Sequence, residues 1–405
     1  MPGGAPHPRP PVRLAVAERD ALRRSLRPVT IEPAPDSENA YILTPGATIG
    51  ALEIGDLSVS IRPKLDVSRV LFLASYGTGA FRLRERERFS FPDADTPVEA
   101  LVPVFTASAR RAFASGLVHG YRTEEETLDT VRGRIRIDDQ IRRRFGIPVP
   151  VEVTYDEFTD DVLINRLVKA ATEKLSRMRI RSCRSRADLG WVDATLGNVA
   201  LVEYPPGAVP DVAFNRLNEH YREVVALARL ILRNATLETG RGAVRAPGFL
   251  MDMNKVFQEF VTQALREALG LSDRTFRADC GVRGVTLDVE RRIDLRPDLS
   301  WWDGPTCTFV GDAKYKRIQD SRVPNADLYQ LLAYATALNL PGGLLVYAQG
   351  EADDTAHVVR HASKRLEVSA LDLSGTIGDL RRRIQKLAER VRCLRRAARA
   401  ASRVA

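Results

Sequence analysis

Cys307-Thr308-Phe309-Val310-Gly311-Asp312-Ala313-Lys314-Tyr315-Lys316 opens on an apolar-rich run that predicts a β-strand. It closes on Asp312 and Lys314, one residue apart, which leave the same face of an extended chain. Upstream, Arg296-Pro297-Asp298 lies within residues 294–302, a second predicted strand, and Trp302-Asp303-Gly304-Pro305 carries the turn that folds one onto the other. The hairpin brings Asp298 beside Asp312. Mg²⁺ takes hard oxygen ligands, usually one or two carboxylates completed by water and phosphate, so two aspartates at adjacent strand positions form half of such a shell. A lysine beside them orients or helps deprotonate a water and offsets charge building on a phosphate. These residue types in this order point to metal-assisted phosphodiester hydrolysis, with Mn²⁺ able to replace Mg²⁺ in an all-oxygen site.

A D-x-K tripeptide alone is common in surface strands, and its surroundings give it weight. Residues 326–338 read as a helix in which Gln330 and Tyr334, four apart, share one face. An earlier helix is predicted after Asn254 as N-cap. Val256, Phe257, Phe260, Val261, Ala264, Leu265, Ala268 and Leu269 fall at helical spacing up to a stop at Gly270. Glu259 lies within that helix, either as a further carboxylate of the site or as a solvated residue beside the apolar stripe.

At 405 residues the chain exceeds ordinary single-domain length, and two or three domains are expected. A 44% hydrophobic and 28% charged composition is that of a soluble globular protein. No apolar run is long enough to cross a bilayer, and the Pro/Gly-rich residues 1–11 read as a flexible tail without the apolar core of a signal peptide. A cytoplasmic protein with no membrane partner is expected. Cys183, Cys280, Cys307 and Cys393 are scattered, with no C-x-x-C pair, and fit reduced thiols. The formal net charge of +9 favours a polyanionic partner. There is no G-x-x-x-x-G-K-[ST], so any coupled nucleotide hydrolysis of that type belongs to another polypeptide.

The fold class expected is α/β and multi-domain. Residues 12–95 form a β-rich N-terminal module, with period-two alternation over residues 57–64 and a helix over residues 70–76. Residues 96–246 form a mixed helical region: a helix over 97–115, extended chain over 121–137 with a bend at Arg132-Gly133-Arg134, a strand over 150–155, and long helices over 160–178 and 212–232. In the first of these long helices Val162, Leu163, Leu167, Ala170 and Ala171 are placed on the apolar side. Gly240-Arg241-Gly242 and Pro247-Gly248 mark a linker. Residues 247–405 form an α/β domain with further strands over 343–347 and 365–371. It ends in a basic helix whose stripe of Leu380, Ile384, Leu387, Val391 and Leu394 docks on the domain. Its arginines, among them Arg390, Arg395, Arg399 and Arg403, are expected to face outward, either as a solvated face or toward phosphates.

The order P-D, D-x-K and Q-x-x-x-Y on strand, hairpin, strand and helix resembles the PD-(D/E)xK nuclease superfamily, in the branch with the extra Gln and Tyr. Across its length the chain is similar to the McrC family, the nuclease subunit of McrBC-type modification-dependent restriction systems. The similarity rests on Val59-Ser60-Ile61-Arg62-Pro63-Lys64-Leu65, Val131-Arg132-Gly133-Arg134-Ile135, Tyr155-Asp156-Glu157-Phe158-Thr159-Asp160-Asp161, Asn165-Arg166-Leu167, residues 257–261, Arg296-Pro297-Asp298, Asp312-Ala313-Lys314-Tyr315-Lys316 and Leu328-Tyr329-Gln330.

The resemblance implies catalytic roles for Asp298, Asp312, Lys314, Gln330, Tyr334 and Glu259, with Asp298 and Asp312 as Mg²⁺ ligands. It selects Asp298 over the neighbouring Asp294 because Asp298 follows Arg-Pro. It also implies a McrB-like, GTP-hydrolysing AAA+ ring as partner, which finds and translocates modified double-stranded DNA. The McrC-like chain binds the ring through its N-terminal and middle regions, stimulates its GTPase and cuts. One departure concerns the first nuclease helix, where the family commonly has Phe-Glu and this chain has Phe257-Gln258-Glu259. Either Glu259 takes the acidic role or the helix supplies none. Residues 155–166 are expected to be structural, with Asp160 capping a helix and Asn165 tying it to a neighbour. The alternatives are an adaptor that mainly stimulates the motor, or a stand-alone repair nuclease of the same superfamily.

Overall fold

Short apolar stretches broken by proline and glycine fold at the N-terminus into β1 (Val12–Arg13), α1 (Val16–Ser25), β2 (Val29–Pro33), β3 (Ala40–Pro45), β4 (Thr48–Ile54), β5 (Leu57–Ile61) and α2 (Val67–Gly77). This computed structural model describes residues 11–25, 29–35, 39–54, 57–63, 65–79, 91–238, 246–278, 285–316, 323–348 and 354–401. The expected tail ahead of residue 11, Lys64, the linker Gly240-Arg241-Gly242, Cys280 and Arg403 lie outside the described residues. β3 pairs with β1 and β2, and β5 runs antiparallel to β4 with side chains alternating in exposure as its period-two sequence requires. Leu14, Leu22, Ile31, Tyr41, Leu52 and Ile54 close a core beneath these strands. The chain divides into two compact units, Met1–Ala100 with Thr236–Ala405, and Leu101–Ala235.

α3 (Pro97–Phe113) leads into the second unit, where β6 (Gly120–Leu128), β7 (Arg134–Ile135), α4 (Ile137–Arg144), β8 (Val151–Thr159), α5 (Leu163–Ser176), α6 (Cys183–Thr195) and α7 (Arg222–Asn234) follow. β8 lies between β6 and β7. The expected bend falls at Gly133, whose φ is +73° and where a Cβ would stand 2.4 Å from the Thr154 carbonyl oxygen, so only glycine fits. α4 buries no side chain. It is held by Glu152, 1% exposed, whose carboxylate meets Arg136 at 3.2 Å, Arg144 at 3.3 Å and Arg143 at 3.6 Å. The Glu152 backbone N–H donates to Gln140 Oε1 at 2.7 Å.

Two helices are shorter than their periodicity predicts. The helix expected over 160–178 starts at Leu163, which is exposed, because residues 159–162 form a turn: Asp161 N–H donates to Thr159 Oγ1 and Val162 N–H to Asp160 O. Asp160 therefore does not cap by its side chain. Asn165, fully buried, does tie the helix to its surroundings, donating from Nδ2 to Val118 O and Asp160 O. The carboxylate that works here is Asp161, which accepts from Arg166, Arg122 and the Ala200 N–H; the Arg166 hydrogen bond foremost holds it well below the usual carboxylate range. The helix expected over 212–232 begins at Arg222. Asn215 and Asn218 take their own backbone out of the helix, since Asn215 Oδ1 accepts the Leu217 N–H and Asn218 Oδ1 accepts the Asn215 N–H.

β9 (Ala235–Glu238) and β10 (Ala246–Asp252) complete a four-stranded sheet of order β5-β4-β10-β9, with β10 antiparallel to β4. α8 (Met253–Leu269) is capped by Asp252, which accepts the Asn254 N–H at 2.9 Å, so Asn254 is the capped residue rather than the cap. Gly270 ends it with φ +68°, as expected. There follow β11 (Phe276–Arg277), β12 (Val285–Thr286), β13 (Asp294–Leu295), β14 (Leu299–Asp303), β15 (Thr306–Lys314), α9 (Asn325–Ala337), β16 (Gly342–Ala348), β17 (Thr355–Val358), β18 (Arg365–Leu371) and α10 (Ile377–Ala401).

A six-stranded mixed sheet of order β11-β14-β15-β16-β18-β17 organises this part. β14 and β15 form an antiparallel hairpin, and β15, β16 and β18 are parallel. β15 and β16 are buried along nearly their whole length, which explains their apolar runs. The single strand expected over 294–302 is two strands, because Pro297 has no N–H to offer a ladder. α10 docks through Leu380, Ile384, Leu387 and Val391, but its arginines are not uniformly outward. Arg395 stacks 4.0 Å over the Trp301 ring and, with Arg399, pairs with Asp303; Arg390 pairs with Glu367 and Asp354. Cys183, Cys307 and Cys393 are free thiols. Among the described residues no helix is long and apolar enough to cross a membrane.

Candidate active site

The β14–β15 hairpin sets Leu299 opposite Gly311, and one step further Asp298 stands opposite Asp312. Asp298 Oδ2 accepts the Ala313 N–H at 3.0 Å, taking the ladder donor that a strand at this point would have used. Asp312, 1% exposed, hydrogen-bonds Asp298, and its Oδ2 stands 2.7 Å from Lys314 Nζ. The pair is close, but Asp312 Oδ2 has no well-aligned hydrogen-bond donor among the described residues. Burial foremost, and then the Asp312 charge, push the Asp298 carboxyl up to about 7; burial raises Asp312 too, against the pull of Lys314. Two neighbouring carboxyls withdrawn from water resist ionising together.

α9 presents a row of polar groups to the lysine. Lys314 Nζ donates to Gln330 Oε1 at 2.9 Å, Gln330 Nε2 donates to Tyr334 Oη at 2.7 Å, and Tyr334 Oη donates to the Arg296 carbonyl at 3.0 Å. The relay has one polarity. An ammonium can only donate and a carbonyl only accept, so the orientation of the Gln330 amide and the Tyr334 hydroxyl are both determined. The last link returns to the residue two before Asp298, joining the helix to the segment that delivers the first carboxylate.

Five of the expected site residues, Asp298, Asp312, Lys314, Gln330 and Tyr334, are thus one connected cluster. Glu259 is not part of it. Phe257 of α8 faces Tyr315 beyond β15, with ring centroids 6.1 Å apart, and Glu259 lies two residues further, about 200° round the helix. Its Cβ instead lies 3.0 Å from where a Cβ on Gly77 of α2 would be. Asp294 is exposed on β13, paired with Thr286. Three residues not singled out in the sequence join the cluster's edge. Buried Asp327, one turn before Gln330, accepts from Tyr347 Oη at 2.7 Å and stands 3.3 Å from Lys316 Nζ. The signal for Lys316 was its alternation with Asp312 and Lys314, and for Asp327 its three-residue spacing from Gln330.

Among the described residues no group of three or more His, Cys, Asp and Glu side chains could hold a metal ion. The donor set is two adjacent carboxylates, one with a buried oxygen lacking a hydrogen bond. That suits a hard divalent cation that keeps most of its shell for water and phosphate.

A multi-domain α/β chain with paired carboxylates and a lysine at one end of a mixed sheet is the class defined by these features. The family described as "McrBC 5-methylcytosine restriction system component" has a model that matches residues 43–348, and the chain belongs to that family, as a McrC-family protein. Over 330 residues it is 19% identical to the Escherichia coli (strain K12) protein named "Type IV methyl-directed restriction enzyme EcoKMcrBC", covering 77% of this chain and 92% of that one. Its fold is similar to a chain in the half-complex of a tetradecameric assembly of Thermococcus gammatolerans McrB AAA+ hexamers with bound McrC. The TM-score is 0.51 at 18% identity, over 91% of this chain and 92% of the other.

Proposed function

We propose that this chain is the Mg²⁺-dependent DNA endonuclease subunit of a McrBC-like restriction system, with a PD-(D/E)xK nuclease core, and that it binds and stimulates a GTP-hydrolysing AAA+ partner. The observation that carries the proposal is the unbroken connection from Asp298 and Asp312 through Lys314 to Gln330, Tyr334 and the Arg296 carbonyl. A structural ion pair needs no such relay. A lysine that must be aimed does.

Asp298 and Asp312 would hold the cation, Mg²⁺ or Mn²⁺. When bound, it supplies Lewis-acid polarisation of a phosphate oxygen and a water acidified enough to attack. Lys314, steered by Gln330, holds its positive charge where negative charge develops on the phosphodiester. The buried floor formed by β15 and β16 excludes bulk water from beneath the pair, which strengthens each of these charges.

Membership of the McrBC family, the methyl-directed activity named for the Escherichia coli relative, and the McrB rings named with the Thermococcus gammatolerans assembly support modified double-stranded DNA as substrate and an AAA+ ring as partner. In the second unit Ile137 and Ile141 share a face of α4 and lead to Phe145, 90% exposed, and then to exposed Ile147 and Val149. Exposed apolar groups gathered this way mark a protein-binding surface and support partner engagement through this region.

The test is cleavage of methylated and unmethylated plasmid with Mg²⁺, with and without the cognate AAA+ protein and GTP. Cutting by wild type only with both additions, its loss in Asp312→Ala and undiminished GTPase stimulation by that variant are the expected results. Cutting by Asp312→Ala at the wild-type rate overturns the assignment. Stimulated GTPase without cutting by wild type identifies an adaptor, and cutting by the chain alone a stand-alone nuclease.

A further inference from the structure

The face of β15 that carries Asp312 and Lys314 does not end at the strand. Tyr315 turns toward Phe257 on one side, and Lys316 continues on the other side, where α9 lies. On α9, Asp327, Gln330 and Tyr334 fall at spacings of three and four and form one row. Each lysine meets its own residue in that row: Lys314 meets Gln330, and Lys316 meets Asp327. Lys316 lies just past the end of β15, where its backbone N–H donates to the Lys314 carbonyl at 2.9 Å in a tight turn at Tyr315.

The two lysines differ in how they are held. Lys314 is largely enclosed, while Lys316 is 52% exposed and lies 3.3 Å from both Asp327 oxygens, longer than the ~2.7–2.9 Å of a tight charge-assisted hydrogen bond. Asp327 does not depend on Lys316 for burial, because Tyr347 Oη, itself buried, already donates to it at 2.7 Å. A buried carboxylate fixed from below thus holds loosely a half-exposed ammonium beside the candidate active site. That is the arrangement of a tethered cation with donors left for a ligand, and the ligand chemistry is anionic.

We propose that Lys316 contacts a DNA phosphate next to the one being cut, and that Asp327, fixed by Tyr347, is the positioning residue that sets where it does so. The proposal rests on the nuclease reading of the Asp298–Asp312–Lys314 cluster. It assigns Lys316 a role in placing the substrate and leaves the chemical step to the other residues.

The experiment uses the full chain and a labelled double-stranded oligonucleotide in EDTA, measuring affinity as salt is varied. Plasmid cleavage by the same proteins with Mg²⁺, the AAA+ partner and GTP is measured in parallel. Lys316→Ala should weaken binding and lower the magnitude of the slope of log K against log salt by about 0.9, the loss of one phosphate contact. Lys316→Arg should restore the slope. Asp327→Asn keeps the lysine's charge and an acceptor for Tyr347, so it should keep the slope and lower kcat. A wild-type slope and wild-type cleavage for Lys316→Ala, with Asp312→Ala inactive, overturn the proposal and leave the nuclease reading intact. Failure of Lys316→Arg to restore the slope, unchanged kcat in Asp327→Asn, or no duplex binding by the wild-type chain also overturns it. Wild-type cutting by Asp312→Ala instead removes the reading on which it stands.

Discussion

Lys314 Nζ donates to Gln330 Oε1 at 2.9 Å while standing 2.7 Å from Asp312 Oδ2, so one ammonium is shared between the helix and the strand. Lys314 closes an ion pair with Asp312 on one side and is held by Gln330 on the other, so Gln330 fixes where the ammonium stands.

Gln330→Ala should therefore slow cutting without weakening DNA binding. A hydrogen bond to a charged group is worth about 1.5–3 kcal/mol, and its loss corresponds to roughly a 10- to 100-fold lower rate. Single-turnover cleavage at saturating DNA, compared with the equilibrium affinity for the same duplex, reads the two effects separately.

The raised Asp298 carboxyl makes the metal-free protein sensitive to pH. Its folded-state value, pushed to about 7, lies above the ordinary carboxylate value, so the folded state holds the proton more tightly than the unfolded chain. This contribution to stability is fully present below about 3.9, the unfolded value, and is lost as pH rises through 7. Thermal denaturation in EDTA should show Tm falling over that window, and Asp298→Asn should flatten the fall. Because a ligand carboxylate must be ionised, Mg²⁺ should raise Tm more at pH 8 than at pH 5.

Glu259 faces Gly77 of α2 and stands away from the carboxylate pair. Glu259→Ala should leave the cleavage rate within about twofold of wild type, the scale of a substitution worth about 0.5 kcal/mol. A loss beyond that range in the purified complex would instead assign the α8 carboxylate a part in the chemistry.

The strand, turn, strand and helix that carry the cluster were legible because their signals are local. An apolar-rich run, the Asp-Gly-Pro turn and an i, i+4 pair each depend on residues within a few positions of one another. Five of the six residues named from sequence fall into one connected group for that reason. The break at Pro297 was also local, since a proline inside an expected strand has no N–H for the ladder. In residues 212–221, side-chain competition for the backbone by Asn215 and Asn218 outweighed apolar periodicity.

By itself the sequence determined the chemistry available: two carboxylates, a lysine, and a helix face carrying Gln330 and Tyr334. Only the tertiary structure decided which way α8 turns Glu259 and which α10 arginines are tied to Asp303 and Glu367. It also decided that β4 pairs with β10, nearly two hundred residues later in sequence, and that Lys316 meets Asp327. The rotation of a helix about its axis and the register of strands far apart in sequence follow from how buried surfaces fit together. No window of neighbouring residues contains that information.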